Sequence, residues 1–309
     1  MDRETNGTMR TKRIIWFLLS LPLMAHAEHL FEAGLRAGMA DYRAQCTYVA
    51  PLPHVHAGLL FSYSYHSSQI VGFRVGATLD RHQAGFGKID YTDTYTTIDV
   101  DDETIQVDYA IGNLKELYTI WSVGIPLQLA LSWNGLNAYL GPKVVFPLQC
   151  TWTENAHNAA LSVYFPKQDN RVYESFPLAA SRSFKEVQNG THNVQKIQWW
   201  LAAELCYDIP VYTAQHSKSY LSVGIYADFS LSRETDPVAE SSSLMMLSDT
   251  RDGFPLHREM TSVVTSCRGE ERLVSSRNLF DVGLKLSYRI APYNPLKRNA
   301  KACNCINFY

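Results

Sequence analysis

Eight stretches of this 309-residue chain alternate apolar and polar residues with a period of two, and that pattern narrows the folds open to it more than any other feature. Successive side chains of a strand point to opposite faces, so each stretch has one apolar and one polar face. The clearest is 219–232. Leu221, Val223, Ile225, Ala227, Phe229 and Leu231 share one face, and Ser222, Gly224, Tyr226, Asp228 and Ser230 the other. The same rule predicts strands at 30–42, 54–65, 70–82, 117–133, 138–148, 199–209 and 279–290. Each reaches the roughly 9–11 residues that a tilted membrane strand needs.

The connections alternate too. They run moderate, short, long, short, long, short, long, with the short ones at His66–Gln69, Asn134–Asn137 and around Thr213–Lys218. The long ones cover 83–116, 149–196 and 233–277. Barrels of the bacterial outer membrane have short periplasmic turns, long outer loops, an apolar outer band and a polar inside. The expected fold is therefore all-β, an eight-stranded antiparallel transmembrane up-and-down barrel with three long outer loops. The long connections are expected to be polar, far from any core, and open to protease. Alternation over Thr104–Tyr109 also suggests a hairpin that carries two strands beyond the membrane.

The N-terminus reads as a secretory signal over 1–27. Arg10, Lys12 and Arg13 precede an apolar run from Ile14 to Met24, and Ala25-His26-Ala27 is a small-x-small cleavage site. The barrel then spans 28–290, and 291–309 is a short basic periplasmic tail. Without 1–27, the 28 Lys+Arg fall by four and the 30 Asp+Glu by two, for a net charge of −4. That balance gives no reason to expect nucleic acid as a partner.

The inward-facing charges are the most informative chemistry. Arg36, Arg74, Lys143, Lys285 and Arg289 stand against Glu32, Glu204, Asp208, Asp228 and Asp281, five of each sign. Asp80 shares their face but is placed at the outer rim, where water can solvate it. Charges are expensive to bury unless paired, and an eight-stranded barrel is only wide enough for side chains to fill. A salt-bridged, largely closed interior follows. Outward aromatics fall into two girdles: Tyr63, Tyr65, Trp133, Tyr207 and Tyr288 at one end, Trp121, Trp199, Phe146, Phe229 and Phe280 at the other.

Other constellations are weaker. The carboxylates of 90–108 lack calcium-loop spacing and read as a solvated acidic loop. His54 and His56 lie two apart on one face at the outer rim, too little for a metal site. Six cysteines are scattered, so pairing among Cys46, Cys150 and Cys267 stays open, while Cys206 points inward as a small core residue and Cys303 and Cys305 fall in the tail. No catalytic motif occurs; His157, His192 and His257 are the loop histidines from which a triad would have to be drawn. No catalytic residue, metal or cofactor is assigned. Pro126 and Pro142 sit inside strands, each removing a ladder donor, and the pattern does not explain them.

Trp121 to Leu148 holds Ile125-Pro126-Leu127, then Gly141 and Lys143, then Pro147-Leu148. With Gly34, Arg36 and Gly38, with Gly72, Arg74 and Gly76, and with Val282-Gly283-Leu284-Lys285, the span 28–290 resembles the outer-membrane β-barrel proteins common in Bacteroidetes, including the barrel portion of OmpA-type proteins. The resemblance implies eight strands with both chain ends periplasmic. Many OmpA-type relatives continue into a peptidoglycan-binding domain; this chain stops before one, so the resemblance does not carry cell-wall anchoring over to it. Taken together, the expectation is a non-enzymatic protein of the bacterial outer membrane, structural or surface-interacting. Its partners would be membrane lipid and lipopolysaccharide, and an extracellular ligand or host surface met through the loops. The alternatives are a narrow porin, an outer-membrane lipid-modifying enzyme and a soluble ligand-carrying barrel.

Overall fold

The computed structural model describes residues 28–46, 48–66, 70–98, 102–184, 197–213, 217–233, 244–248, 257–260, 262–268 and 271–292. The expected signal segment 1–27 and nearly all of the tail lie outside the described residues. The period-two segments form long antiparallel strands: β1 (Glu28–Cys46), β2 (Ala50–His66), β3 (Val71–Ile98), β4 (Thr104–Trp133), β5 (Leu136–Phe165), β6 (Asn170–Phe184), β7 (Gln198–Thr213) and β8 (Lys218–Ser230). Four short strands follow, β9 (Met245–Ser248), β10 (His257–Met260), β11 (Cys267–Arg268) and β12 (Glu271–Arg272), and then β13 (Val274–Ala291). The main sheet runs β4-β3-β2-β1-β13-β8-β7-β5-β6, and β4 also pairs with β5. That extra pairing closes a ring of eight strands, with β6 outside it, so no strand edge is left along the ring.

The parity read from the sequence sets the register. Val282, Leu284, Leu286 and Tyr288 of β13 lie opposite Ala227, Ile225, Val223 and Leu221 of β8, and all face outward. The outside of the ring is an exposed apolar band, with Leu284 67 % and Trp133 71 % accessible. At one end the chain reverses through Asn134-Gly135, both with positive φ (50° and 85°). A two-residue turn with that backbone matches the right-handed twist of its strands, and Asn-Gly is the pair that adopts it without strain.

Each proline coincides with a gap in the ladder on one of its sides and is paired on the other, Pro126 with Lys143 and Pro142 with Leu201. The β3–β4 register passes from Val75↔Leu127 to Thr78↔Gly124. The β4–β5 register passes from Pro126↔Lys143 to Leu129↔Leu140. The donor that each proline lacks is missed least there.

The long connections differ from the expectation of polar, coreless loops. β3, β4 and β5 continue far past the eight-stranded band, β5 gains β6 as a neighbour, and a 3-10 turn at Pro166–Gln168 joins the last two. The hairpin suggested by Thr104–Tyr109 is present, with Ile98↔Thr104 at its tip. Beyond Trp121 the apolar face switches. In the band the apolar residues point outward; past it Ala84, Phe86, Tyr118 and Ile120 are apolar and buried inward. They join Tyr42, Ile105, Val107, Ile111, Trp152, Leu161, Val163 and Trp200 in one hydrophobic core, completed by Leu244, Val263, Val264 and Leu273 from the third long connection. This outer cap sits over one mouth of the ring, with Tyr42 stacked on Phe86 at 5.3 Å.

Candidate functional site

Inside the band, the charges gather in layers. In the first, Lys143 Nζ donates to Asp80 and Asp228, both at 2.8 Å, while Arg36 donates to Asp228 at 2.6 Å and lies 3.8 Å from Asp80. In the second, Arg74 meets Glu204 at 2.7 Å and Glu32 at 3.4 Å, and Lys285 meets Glu32 at 2.6 Å and Glu204 at 2.7 Å. Arg289 pairs with Asp208 below them. Each of the first two layers is a square of alternating sign, so every carboxylate faces two cations at short range. That is the arrangement in which Coulomb attraction can offset desolvation. Aromatic rings fill the gaps: the Arg36 guanidinium lies 3.9 Å from the Tyr226 centroid and Arg74 4.5 Å from that of Tyr139.

Asp80 does not sit at a solvated rim. It is fully buried, 0 % accessible, beneath the cap. The sequence reading ended β3 at the membrane surface, whereas the strand runs on and roofs Asp80 over. Among the described residues of the band, the lumen therefore holds six carboxylates, with Asp80 added to the five expected, against five Lys and Arg. The odd one is Asp281. Among the described residues it is within 4 Å of no Lys or Arg; its ion-pair neighbour is His82, with Nδ1 2.9 Å from Oδ2. Its cross-strand partner is another carboxylate, Asp228.

His82 was not singled out from the sequence, although it continues the inward parity of Asp80. It lies opposite His56 across β2–β3, with ring centroids 4.8 Å apart. His56 is likewise buried, not at the rim, whereas His54 precedes a break in the ladder and is only half-buried. His56 Nδ1 bonds the Tyr226 hydroxyl, while its Nε2 is buried 3.4 Å from Asp80 Oδ1. His82 Nε2 lies 3.0 Å from Ser122 Oγ. Ser122, His82 and Asp281 thus follow the order of a nucleophilic serine chain. A nucleophile must also be reached, and Ser122 is 1 % accessible under the cap. The side chains of His157, His192 and His257 lie outside the described residues. Cys206 is buried in the lumen as expected, and Cys46 and Cys267 are free thiols.

A second buried cluster lies in the cap, five residues beyond Trp121. Glu116 and Glu154 are cross-strand partners. Glu116 accepts from Tyr118, from Ser262 at 2.8 Å and from the Val263 amide at 2.8 Å, which ties the third long connection down over β4. Both oxygens of Glu154 are buried without a partner. Burial pushes the Glu154 carboxyl well above the usual carboxylate range, and the neighbouring Glu116 adds to the push; burial raises Glu116 as well. A carboxyl whose folded pKa is raised contributes stability below its unfolded pKa and loses it as pH climbs toward the folded one. The cap is therefore expected to open more readily at pH 8–9 than at pH 5. Amide exchange in 104–118 and 149–165 measures this, and Glu154→Gln should flatten the dependence. An unchanged slope in the variant would remove Glu154 as the cause.

On the outer face of the projecting strands, a groove of about 740 Å³ is lined by residues including Thr92, Thr94, Asp108, Ser162 and Tyr173. Tyr173 is 75 % accessible, and Arg171 holds Asp108 at 2.6 Å. The acidic segment 90–108 belongs to this hairpin, where Asp93 accepts from Tyr91 and Asp108 from Thr94.

No protein-family model and no curated sequence matches the chain. Among solved structures, Ail, the attachment invasion locus protein of Yersinia pestis in complex with the heparin analogue sucrose octasulfate, is 10 % identical with a TM-score of 0.24, over 84 % of this chain and 98 % of that one. A TodX deletion mutant, a monoaromatic hydrocarbon channel, is 8 % identical with a TM-score of 0.18, over 86 % and 91 %. Likeness this weak decides nothing about fold or function.

Proposed function

We propose that the chain is an eight-stranded transmembrane β-barrel of the bacterial outer membrane. In this reading it is non-enzymatic, sealed to ions, and acts through the surface it raises outside the cell. The carrying observation is the continuous filling of the ring. Three layers of ion pairs occupy its polar inside, and an apolar cap closes the mouth above them. A porin needs a water path; side chains take that space here. The apolar band and its aromatic ends support a lipid environment, with lipid and lipopolysaccharide as the contacting molecules. The groove beside Tyr173 offers an extracellular ligand polar groups and one exposed ring.

Planar-bilayer recording tests the reading. The pure protein is expected to insert without single-channel steps. Ile225→Arg, at an exposed position in the middle of β8, is expected to cost about 2–4 kcal/mol and to depress insertion. Stable conductance steps from the wild type would replace the sealed reading with the porin one. An Ile225→Arg protein that inserts as well as wild type would mean that the outer band does not face lipid.

A further inference from the structure

We infer that His56, His82 and Asp281 form a binding site for one divalent transition-metal cation of the zinc class. Their ligand atoms all lie within 4.8 Å of one another, and all three residues are buried. Donors bound to zinc at roughly 2.0–2.2 Å stand about 3–4 Å apart, so side-chain shifts of about 1 Å gather the set. Two imidazoles and a carboxylate are three protein ligands of the kind zinc takes; with His82 Nδ1 beside Asp281, the Ser122 hydroxyl 3.0 Å from Nε2 would orient the ring from its other edge.

Two further observations point to a cation here. The first is charge. Asp281 is the lumen's sixth carboxylate, has no Lys or Arg partner among the described residues, and faces Asp228 across the ladder. A buried carboxylate in that position needs a positive charge beside it. The second is the placing of the ligand atoms. His56 Nε2 is buried with Asp80 Oδ1 3.4 Å away, and Asp281 Oδ2 lies 2.9 Å from His82 Nδ1, so the nitrogens and carboxylates already converge as they would around a shared cation. The Tyr226 hydroxyl at His56 Nδ1 is the kind of partner that orients a metal-bound histidine, with Nε2 as the ligand atom.

The ligands come from β2, β3 and β13, with β1 between β2 and β13 in the ring. A bound ion would therefore staple the last strand to the early ones across the lumen. The ligand set was hidden from the sequence because its members are 26 and 199 residues apart from His82, and only the ring's closure brings them together.

The test uses the full chain purified in detergent and stripped with a chelator. Zinc is titrated by calorimetry, and cobalt by its visible absorption. One equivalent per chain is expected, with cobalt bands diagnostic of nitrogen and oxygen ligands. His56→Gln and Asp281→Asn, each checked for the heat-modifiable gel migration of a folded barrel, should bind about 100-fold more weakly or not at all. His54→Gln, outside the cluster, should bind as wild type does. If one variant fails to fold, the other carries the comparison. No metal bound by the folded wild type would overturn the site. Undiminished binding by both variants would overturn it equally.

Discussion

Lys143→Met is expected to lower the unfolding free energy by about 3–5 kcal/mol, the usual consequence of breaking a buried ion pair from one side. The size follows from what is left behind. Asp80 and Asp228 share Lys143 at 2.8 Å each, and without it Arg36 is the Lys or Arg left to both, with Thr78 and His56 beside Asp80. Neither can escape to water, since Asp80 is 0 % and Asp228 1 % accessible. The defect should be repairable. Adding Asp80→Asn leaves Arg36 and Asp228 as a balanced pair, and at least half of the loss should return in a double-mutant cycle. Urea titration of protein refolded into vesicles measures all three variants. A Lys143→Met midpoint equal to wild type would show that the layer contributes nothing to stability.

Trp152→Ala is expected to have a comparable effect in a different place. Removing a fully buried tryptophan typically costs about 3–5 kcal/mol. Trp152 is 2 % accessible within the cap core, beside Tyr118 in register on β4. The loss should fall mainly on the cap, because Trp152 packs in its core, while the ion pairs of the layers below are made by other side chains. On intact cells, protease should leave 83–116 and 149–165 uncut in the wild type and cut them in the variant. The barrel's gel migration should be unchanged. Rapid cleavage of the wild type in those segments would mean that the cap is not packed.

That expectation reverses the one drawn from the sequence, and the reason is physical. Period-two parity identified the strands wherever one face met a uniform medium, as with Leu221 to Leu231 or Val282 to Tyr288. It also placed Arg36, Arg74, Lys143 and Lys285 on the inner face, where the structure has them. It failed where the medium changes. Past Trp121 the outer face meets water and the inner face must be apolar, so Phe86 broke the expected pattern and its segment looked like a loop, while Ile120 fell off-pattern within the predicted strand 117–133. Ending β3 at that boundary also mislocated Asp80 and passed over His82. The clustering of His56, His82 and Asp281 depends on ring closure, which no local pattern encodes.

The switch of apolar face also bears on how the molecule comes to be assembled. In the proposed orientation, the hairpins β3–β4 and β5–β6 have to pass through the bilayer before their tips reach water. While they cross, Tyr118, Ile120 and Trp152 cannot pack, since their partners Leu244, Val263 and Val264 belong to a connection that has not yet arrived. The cap core can condense only after translocation, when all three outer segments stand on the far side. Once formed, it is a packed core that buries two carboxyls, Glu116 and Glu154, that would be hard to carry back. Condensation then acts as a ratchet: each hairpin that docks removes the route by which the strands behind it could retreat.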